Sequence, residues 1–146
     1  MHVEINRNAP VQSNGQVVIE APIETVWTAL TKIEDWPQWQ QSVTKARVQG
    51  QMAAGTIFKW KAGGLSFTSR IHTMQFPHLF GWTGTTIGTS AVHNWTFADR
   101  DGSTLVKVEE SLEGMLPRLF KRYFQRTLDQ GIQTSLEELK QRAEQS

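Results

Sequence analysis

The strongest structural pattern in this chain is the stretch PRLFKRYFQRTLDQGIQTSLEELKQRA, residues 117–143. Its apolar residues recur every three or four positions, which predicts one continuous amphipathic helix from Pro117 to Ala143, about 40 Å long. Gly131 interrupts the stripe at a cost of about 1 kcal/mol, so it indicates a close backbone approach or space left for another molecule. The stripe is too broad to face water, and it consists of Leu119, Phe120, Tyr123, Phe124, Leu128, Ile132, Leu136 and Leu139.

The cover for this helix is predicted from the region before it, where apolar and polar residues alternate with a period of two. Turn signals divide that region at Ala54-Gly55, Gly63-Gly64, Pro77-His78, Gly88 and Asp101-Gly102. The predicted strands lie near residues 43–50, 56–62, 65–75, 79–87, 90–98 and 104–113. A curved antiparallel sheet wrapped along the helix satisfies both patterns.

The N-terminal third supplies one more strand and two short helices. Residues 1–15 are predicted to form an extended arm that ends in a turn at Asn14-Gly15, and residues 16–21 a strand. Pro22 opens a short helix, and the DWPQW stretch at 35–39 forms a second one with its proline near the start. The predicted organisation is therefore an arm over residues 1–15 and a single α+β domain over residues 16–146.

Composition excludes several classes of protein. Fifteen basic and fourteen acidic residues give a net charge of +1, far from the strongly basic surface of a nucleic-acid binder. The chain has no cysteine, which excludes disulfides and thiolate chemistry. Neither a membrane span nor a hydrophobic signal region is found, so the cytoplasm is the expected location. Six tryptophans and seven phenylalanines supply much aromatic surface for a core or a ligand pocket.

Several stretches carry a family resemblance over about residues 16–143. They are IEAPIETVWTAL (19–30), DWPQW (35–39), GTIFKWKAG (55–63), Pro77 to Gly84, AVHNWTF (91–97) and DGSTLVKVEESLEG (101–114), followed by the final helix. Together they resemble the START-like, Bet v 1-like (SRPBCC) superfamily, in its polyketide cyclase/dehydrase and lipid transport branch. The resemblance implies the helix-grip fold, with a curved seven-stranded antiparallel sheet around the C-terminal helix and an apolar cavity between them. It does not imply one activity, because the superfamily includes carriers, cyclases, hydroxylase domains and chaperone activators.

Strand parity places a mostly aromatic set of side chains on the face that meets the helix. We interpret them as the wall of a pocket for a planar or acyl-chain ligand; the alternative is that they fill a solid core. The predicted ligand-binding residues are Phe58, Trp60, Phe67, Ile71, Phe80, Trp82, His93, Trp95, Phe97, Glu110, Phe120, Tyr123 and Phe124.

His93 and Glu110 are the only ionisable pair that parity places on this inner face. With a turn at Arg100-Asp101, His93 would face Val108 and Glu110 would be its diagonal neighbour, whereas one bulged residue would make the two pair directly. A buried carboxylate must be protonated, paired or at a wet cavity mouth. The pair could orient a ligand carbonyl or hydroxyl or act as acid and base; alternatively, the two groups only satisfy each other.

A basic cluster marks the start of the C-terminal helix, where Arg118, Lys121, Arg122 and Arg126 have no acidic residue among them as far as Gln125. Cations oppose the dipole at a helix N-terminus, so the cluster needs an acidic neighbour. Glu109 and Glu113, an acidic ligand group or an anionic membrane could fill that role, or the face is simply solvated.

No cofactor and no metal site are expected, because His2, His72 and His78 lack ligand spacing with carboxylates. The function predicted from the sequence is the binding of a small hydrophobic molecule, without nucleic acid or a membrane span, and the sequence leaves the oligomeric state open. A cyclase or dehydratase would use the same cavity, with His93, Glu110 or Tyr123 as candidate catalytic residues. A third class is an interaction module that contacts a protein through Trp36 and Trp39.

Overall fold

Residues 2–146, the part of the chain that the computed structural model describes, form seven strands and four α-helices. A 3₁₀ turn at Ile33–Asp35 joins the first two helices. The strands are β1 (Val11–Ile19), β2 (Val43–Gln49), β3 (Ile57–Ala62), β4 (Leu65–Gln75), β5 (Leu79–Thr86), β6 (Thr89–Arg100) and β7 (Ser103–Glu113). The helices are α1 (Ile23–Thr31), α2 (Trp36–Trp39), α3 (Met115–Leu119) and α4 (Lys121–Glu144).

The strands make one antiparallel sheet in the order β1-β7-β6-β5-β4-β3-β2. The α4 helix packs along its concave face, and the core lies between them, because the apolar stripe of α4 and the inward-facing strand residues can leave water only against each other. This confirms the predicted helix-grip fold. The buried stripe consists of Leu128, Ile132, Leu136, Leu139 and Ala143.

The turn predicted at Asn14-Gly15 is wrong, because β1 begins at Val11 and runs straight through both residues. Gly15 pairs with Val108 of β7. A Cβ atom built on Gly15 would lie 2.9 Å from Leu136 Cδ1 and 3.0 Å from Ile132 Cγ2. The glycine is therefore needed for the close approach of α4 to the strand, and the extended arm ends near Pro10.

The single helix predicted from Pro117 to Ala143 is also wrong at its start. The chain forms α3 first, breaks at Phe120 (φ −117°, ψ 49°), and then continues as α4. Leu116 explains the break: its N–H donates to the carbonyl of Gly88 (3.2 Å), and its side chain packs on that glycine. Because α3 is fixed to the β5–β6 turn while α4 follows β1, the two helices have different axes.

Tryptophan side chains of the two N-terminal helices, α1 and α2, fill one end of the space between the sheet and α4. Trp27 of α1 makes edge-on contacts with Phe80 and Phe97, at ring-centroid distances of 5.9 and 6.0 Å. Trp36 of α2 is 1% exposed and donates its indole N–H to the carbonyl of Leu30 at 2.9 Å. The prediction that Trp36 is exposed for a protein partner is therefore wrong, because its ring fills the core.

The N-terminal arm lies on the outer face of the sheet, held by a buried polar network. The Val3 N–H donates to His72 Nδ1 (3.2 Å), and His72 Nε2 bonds Asn94 Oδ1 (2.7 Å). The Asn94 amide in turn donates to the Val3 carbonyl (2.8 Å). Gly81 makes room for this network, since a Cβ there would lie 2.4 Å from Asn94 Oδ1. Because His72 Nδ1 accepts a hydrogen bond, the proton of the neutral ring is on Nε2.

This network predicts a loss of stability in mild acid. Burial lowers the pKa of His72 below its usual value, so below about pH 6.5 the unfolded chain binds more protons at this position than the folded chain does. The stabilisation is therefore complete above about pH 6.5 and is lost as the pH falls through the lower native pKa. Protonated Nδ1 can no longer accept the Val3 N–H, so the arm should detach as well.

The check is the melting temperature of the native chain and of His72→Gln, measured between about pH 7.5 and pH 5. The native curve should fall more steeply, because Gln cannot gain the proton. Parallel curves would show that His72 does not contribute to the pH dependence.

Candidate functional site

A mostly apolar cavity of about 330 Å³ lies between the sheet and α4, and Gln40 and Ser42, which follow α2, form part of its edge. Its wall draws on five strands and the helix, so it is the interior of the grip itself. Leu65 and Thr127 line it and are also exposed to solvent, which places its mouth between the β3–β4 hairpin and α4. Its principal wall residues are Trp60, Phe67, Trp82, Ala91, His93, Glu110, Leu112, Phe124, Leu128, Gly131 and Ile132.

The predicted ligand-binding residues separate into three groups in the structure. Those on the cavity wall are Trp60, Phe67, Trp82, His93, Glu110 and Phe124. Those buried in the core instead are Phe58, Ile71, Phe80, Trp95 and Phe97. The α1 and α2 tryptophans explain this separation: Trp36 packs edge-on against Phe58 at 5.7 Å, as Trp27 does against Phe80 and Phe97. Parity identified the inner face but not which end of it the short helices fill.

The third group comprises Phe120 and Tyr123, whose side chains are 56% and 67% exposed. Neither residue lies on the cavity wall, because the break at Phe120 turns them away from the sheet. Tyr123 makes an edge-on contact with Phe124 at 5.6 Å, so it stands just outside the cavity. The geometry therefore gives Tyr123 no position from which to act on a molecule inside.

His93 and Glu110 lie directly opposite each other on β6 and β7. The tip of this hairpin is Asp101-Gly102, with φ angles of 53° and 97°, so Arg100 pairs with Ser103 and the register continues unbroken to His93. The alternative turn at Arg100-Asp101 is thereby excluded, and no bulge is needed. His93 Nδ1 contacts a carboxylate oxygen of Glu110, and the two side chains are 14% and 15% exposed.

The imidazole of His93 is held in one orientation. Its ring stacks on Trp82, with centroids 4.4 Å apart and an interplanar angle of 6°, while Glu110 fixes Nδ1. The other ring nitrogen, Nε2, is buried, and no partner for it occurs among residues 2–146. Trp95 Nε1, whose ring lies 5.6 Å from that of His93, is in the same state. Two neighbouring rings on the same strand face therefore each have a buried nitrogen without a partner, and each such group is costly unless it forms a hydrogen bond.

Sequence reasoning missed several wall residues that small or polar side chains provide. Ser69 is one of them: it is 3% exposed and accepts the indole N–H of Trp60 at 3.1 Å. Gly84, whose Cβ would lie 2.7 Å from Ser69 Oγ, gives this serine its space. The period-two pattern does contain the signal, since Ser69 lies two residues after Phe67 and therefore on the same face, but a search for aromatic residues overlooks it. Gly131 differs from Gly84 in having open space beside it. A Cβ atom built on Gly131 would have no neighbouring atom within 4 Å.

No cluster of three or more His, Asp or Glu side chains suited to a metal ion occurs within residues 2–146. Over the same residues, no helix is both long enough and apolar enough to cross a bilayer.

Known proteins with this architecture share little sequence with the chain. The Zhui aromatase/cyclase from Streptomyces sp. R1128 is 12% identical, with a TM-score of 0.82 over 91% of this chain and 93% of that one. A START superfamily protein from Mycobacterium smegmatis is 17% identical, with a TM-score of 0.75 over 92% and 97% of the two chains. At such identities the likeness establishes the fold alone. No curated protein matches the sequence.

A family model gives the stronger assignment, because it spans almost the whole domain. The model described as polyketide cyclase / dehydrase and lipid transport matches residues 10–144, from the end of the arm to the last turn of α4. The match includes β6 and β7, which carry His93 and Glu110, and the helix that closes the cavity. The chain belongs to the polyketide cyclase / dehydrase and lipid transport family.

Proposed function

We propose that the chain binds a small, largely apolar molecule with one polar group in the cavity between the sheet and α4. The observation that carries the proposal is the cavity itself, lined by aromatic and aliphatic side chains around one polar pair. That combination is typical of ligand sites, where apolar walls supply affinity and a few polar groups fix orientation.

The volume limits the size of the ligand. A cavity of roughly 150 Å³ admits benzene, and the one here measures about 330 Å³. A bicyclic aromatic molecule or a short acyl chain therefore fits within the walls, with any longer part extending through the mouth beside Leu65. The near-parallel Trp60 and Phe67 rings, 4.5 Å apart, provide a flat surface for such a ligand.

The buried Nε2 of His93 defines the polar group. Since Glu110 occupies Nδ1, a neutral ring presents Nε2 as an acceptor for a ligand hydroxyl, and a protonated ring presents it as a donor to a carbonyl or carboxylate. Either bond would remove an unsatisfied buried group, whose cost is about 1–3 kcal/mol. The ligand is therefore expected to be oriented with its oxygen toward His93.

The same observation favours a second candidate function, an enzyme that dehydrates or cyclises a bound polyketide-like chain. A carboxylate on Nδ1 and an unoccupied Nε2 make an oriented general acid or base, the type of group that assists enolisation and loss of water. We place this second because orientation of a ligand oxygen requires less of the pair than proton transfer does.

A change at Gly131 tests the proposal, because this glycine lines the cavity and has open space around it. The Gly131→Phe variant should place a ring at the cavity mouth and reduce the affinity for a polarity-sensitive dye by tenfold or more. Gly131→Ala is the matched control: it should keep dye binding and raise the free energy of unfolding by about 0.5–1 kcal/mol through helix propensity.

Dye displacement by fatty acids and polycyclic aromatic alcohols then identifies the ligand class, and native mass spectrometry of freshly purified protein detects a retained molecule. A bound ligand should raise the free energy of unfolding by about 2.7 kcal/mol at concentrations near 100 times the dissociation constant. Equal dye binding by the native chain and Gly131→Phe would refute a site in this cavity.

A further inference from the structure

We propose that the rim of the cavity docks on an anionic phospholipid surface. The rim comprises α3, the start of α4 as far as Arg126, and the tips of the β3–β4 and β5–β6 hairpins. It has two features that a solvated surface does not need, namely a set of exposed large apolar side chains and a set of unpaired cations. The apolar members, 43–72% exposed, are Leu65, Ile87, Met115, Leu119, Phe120 and Tyr123.

Hydrogen bonds hold these side chains at one end of the molecule. The Leu116 N–H donates to the carbonyl of Gly88 at 3.2 Å, which fixes α3 beside Ile87. The Thr86 hydroxyl donates to the carbonyl of Ser66 at 2.8 Å, which fixes the β5–β6 tip beside Leu65. Leu65 lines the cavity itself, as do Thr86 and Thr89 close to Ile87, so these apolar side chains lie beside its mouth.

The charge of the chain is concentrated on the same rim. Arg118, Lys121, Arg122 and Arg126 are exposed, and none has an ion pair within residues 2–146. Glu109, one of the two acidic partners suggested by the sequence, pairs instead with Arg7 at 3.2 Å. Four of the fifteen basic residues and none of the fourteen acidic ones lie between Met115 and Arg126, so the rest of the chain has a formal charge of −3. The segment from Met115 to Arg126 is therefore strongly basic within a chain that is otherwise slightly acidic.

Apolar side chains interspersed with Arg and Lys on one surface are the pattern of segments that lie in the membrane interface. The apolar groups enter the boundary between headgroups and acyl chains, and the cations contact lipid phosphates and carboxylates. An acidic protein surface would pair with the cations. It would not offer one apolar groove for apolar side chains that come from three separate segments. The observations therefore favour a bilayer as the occupant. Docking would open the cavity mouth directly onto the acyl region.

The proposal is tested by co-sedimentation with vesicles of phosphatidylcholine and phosphatidylserine, and with phosphatidylcholine alone. The native chain should sediment with the anionic vesicles and should be released at about 1 M salt, where the Debye length is about 3 Å. Arg122→Glu/Arg126→Glu should weaken binding about 30-fold or more, since each cation near the surface contributes about fivefold. Leu119→Ser/Phe120→Ser should weaken it at least tenfold.

Arg100→Glu/Lys107→Glu is the matched control, because it makes the same change in net charge at exposed positions toward the β6–β7 tip, which is at the opposite end of β6 from the rim. It should retain binding within about threefold. Melting temperatures close to native should verify that all variants are folded. The proposal would be overturned by equal binding to both kinds of vesicle or by equal weakening from both charge reversals. It would also be overturned if the chain bound soluble polyaspartate but not vesicles. Vesicle binding needs no ligand in the cavity, so its failure is separate from failure of the proposed function.

Discussion

Leu139→Ala is expected to lower the free energy of unfolding by about 2–5 kcal/mol, a large part of the stability of a domain this size. Leu139 is 0% exposed and lies on the α4 stripe that the sheet encloses. Truncation removes both the transfer free energy of the side chain and its packing contacts, and the neighbouring strands can collapse only partly into the space. Urea unfolding monitored by tryptophan fluorescence measures the change, with the denaturant slope showing whether the transition stays two-state.

Leu119→Ala is the control, because it makes the same chemical change in the same C-terminal segment at a side chain that is 66% exposed. It should change the free energy of unfolding by no more than about 0.5 kcal/mol. Equal effects of the two substitutions would mean that α4 does not form the core with the sheet.

Glu110→Gln is expected to change ligand affinity by about 1–3 kcal/mol, which is up to about a hundredfold. The substitution keeps the shape of the side chain but removes its charge and leaves the orientation of His93 to a weaker hydrogen bond. His93→Gln should behave in parallel. Glu109→Gln, at the next position of β7 but on the outer face with Arg7, should leave ligand affinity unchanged. Titration of a dye or an aromatic alcohol into each variant gives the comparison.

The same variants decide between carrier and enzyme. If the pair transfers protons, Glu110→Gln should leave binding nearly intact and lower turnover by about a hundredfold or more on a β-hydroxy ketone that can lose water. The formation of the conjugated product can be followed by its ultraviolet absorbance. Unchanged affinity together with unchanged turnover would show that His93 and Glu110 only satisfy each other.

Periodicity predicted the fold well because a single core imposes it on every element. The α4 stripe and the alternation in β3 to β7 each reflect burial on one face. The sequence predictions were wrong where one residue type has two structural roles. Asn14-Gly15 is typical of a turn, yet Gly15 lies inside β1 because Ile132 and Leu136 approach it.

The cavity was less predictable than the fold. Its volume is the difference between the space that the sheet and α4 enclose and the space that side chains fill. Parity places Phe58 and Trp60 on one face with equal justification, yet the first is core and the second is cavity wall. The distinction depends on where Trp36 packs, which no local pattern specifies. The direct pairing of His93 with Glu110 was within reach, since it required only the correct turn at Asp101-Gly102.

That hairpin makes the spacing of the pair a property of the backbone, with a consequence for redesign. The tip at Asp101 lies eight residues from His93, about 27 Å along the strand. Exchanges of wall residues such as Ala91 or Leu112 can change the shape of the cavity, and so the ligand that it accepts, while the two polar groups keep their separation. Inserting a single residue between His93 and the tip would instead rotate one partner to the outer face. Variant libraries that change the wall side chains should therefore yield proteins with new ligand specificities. Libraries that change the length of this hairpin should yield proteins that bind no ligand.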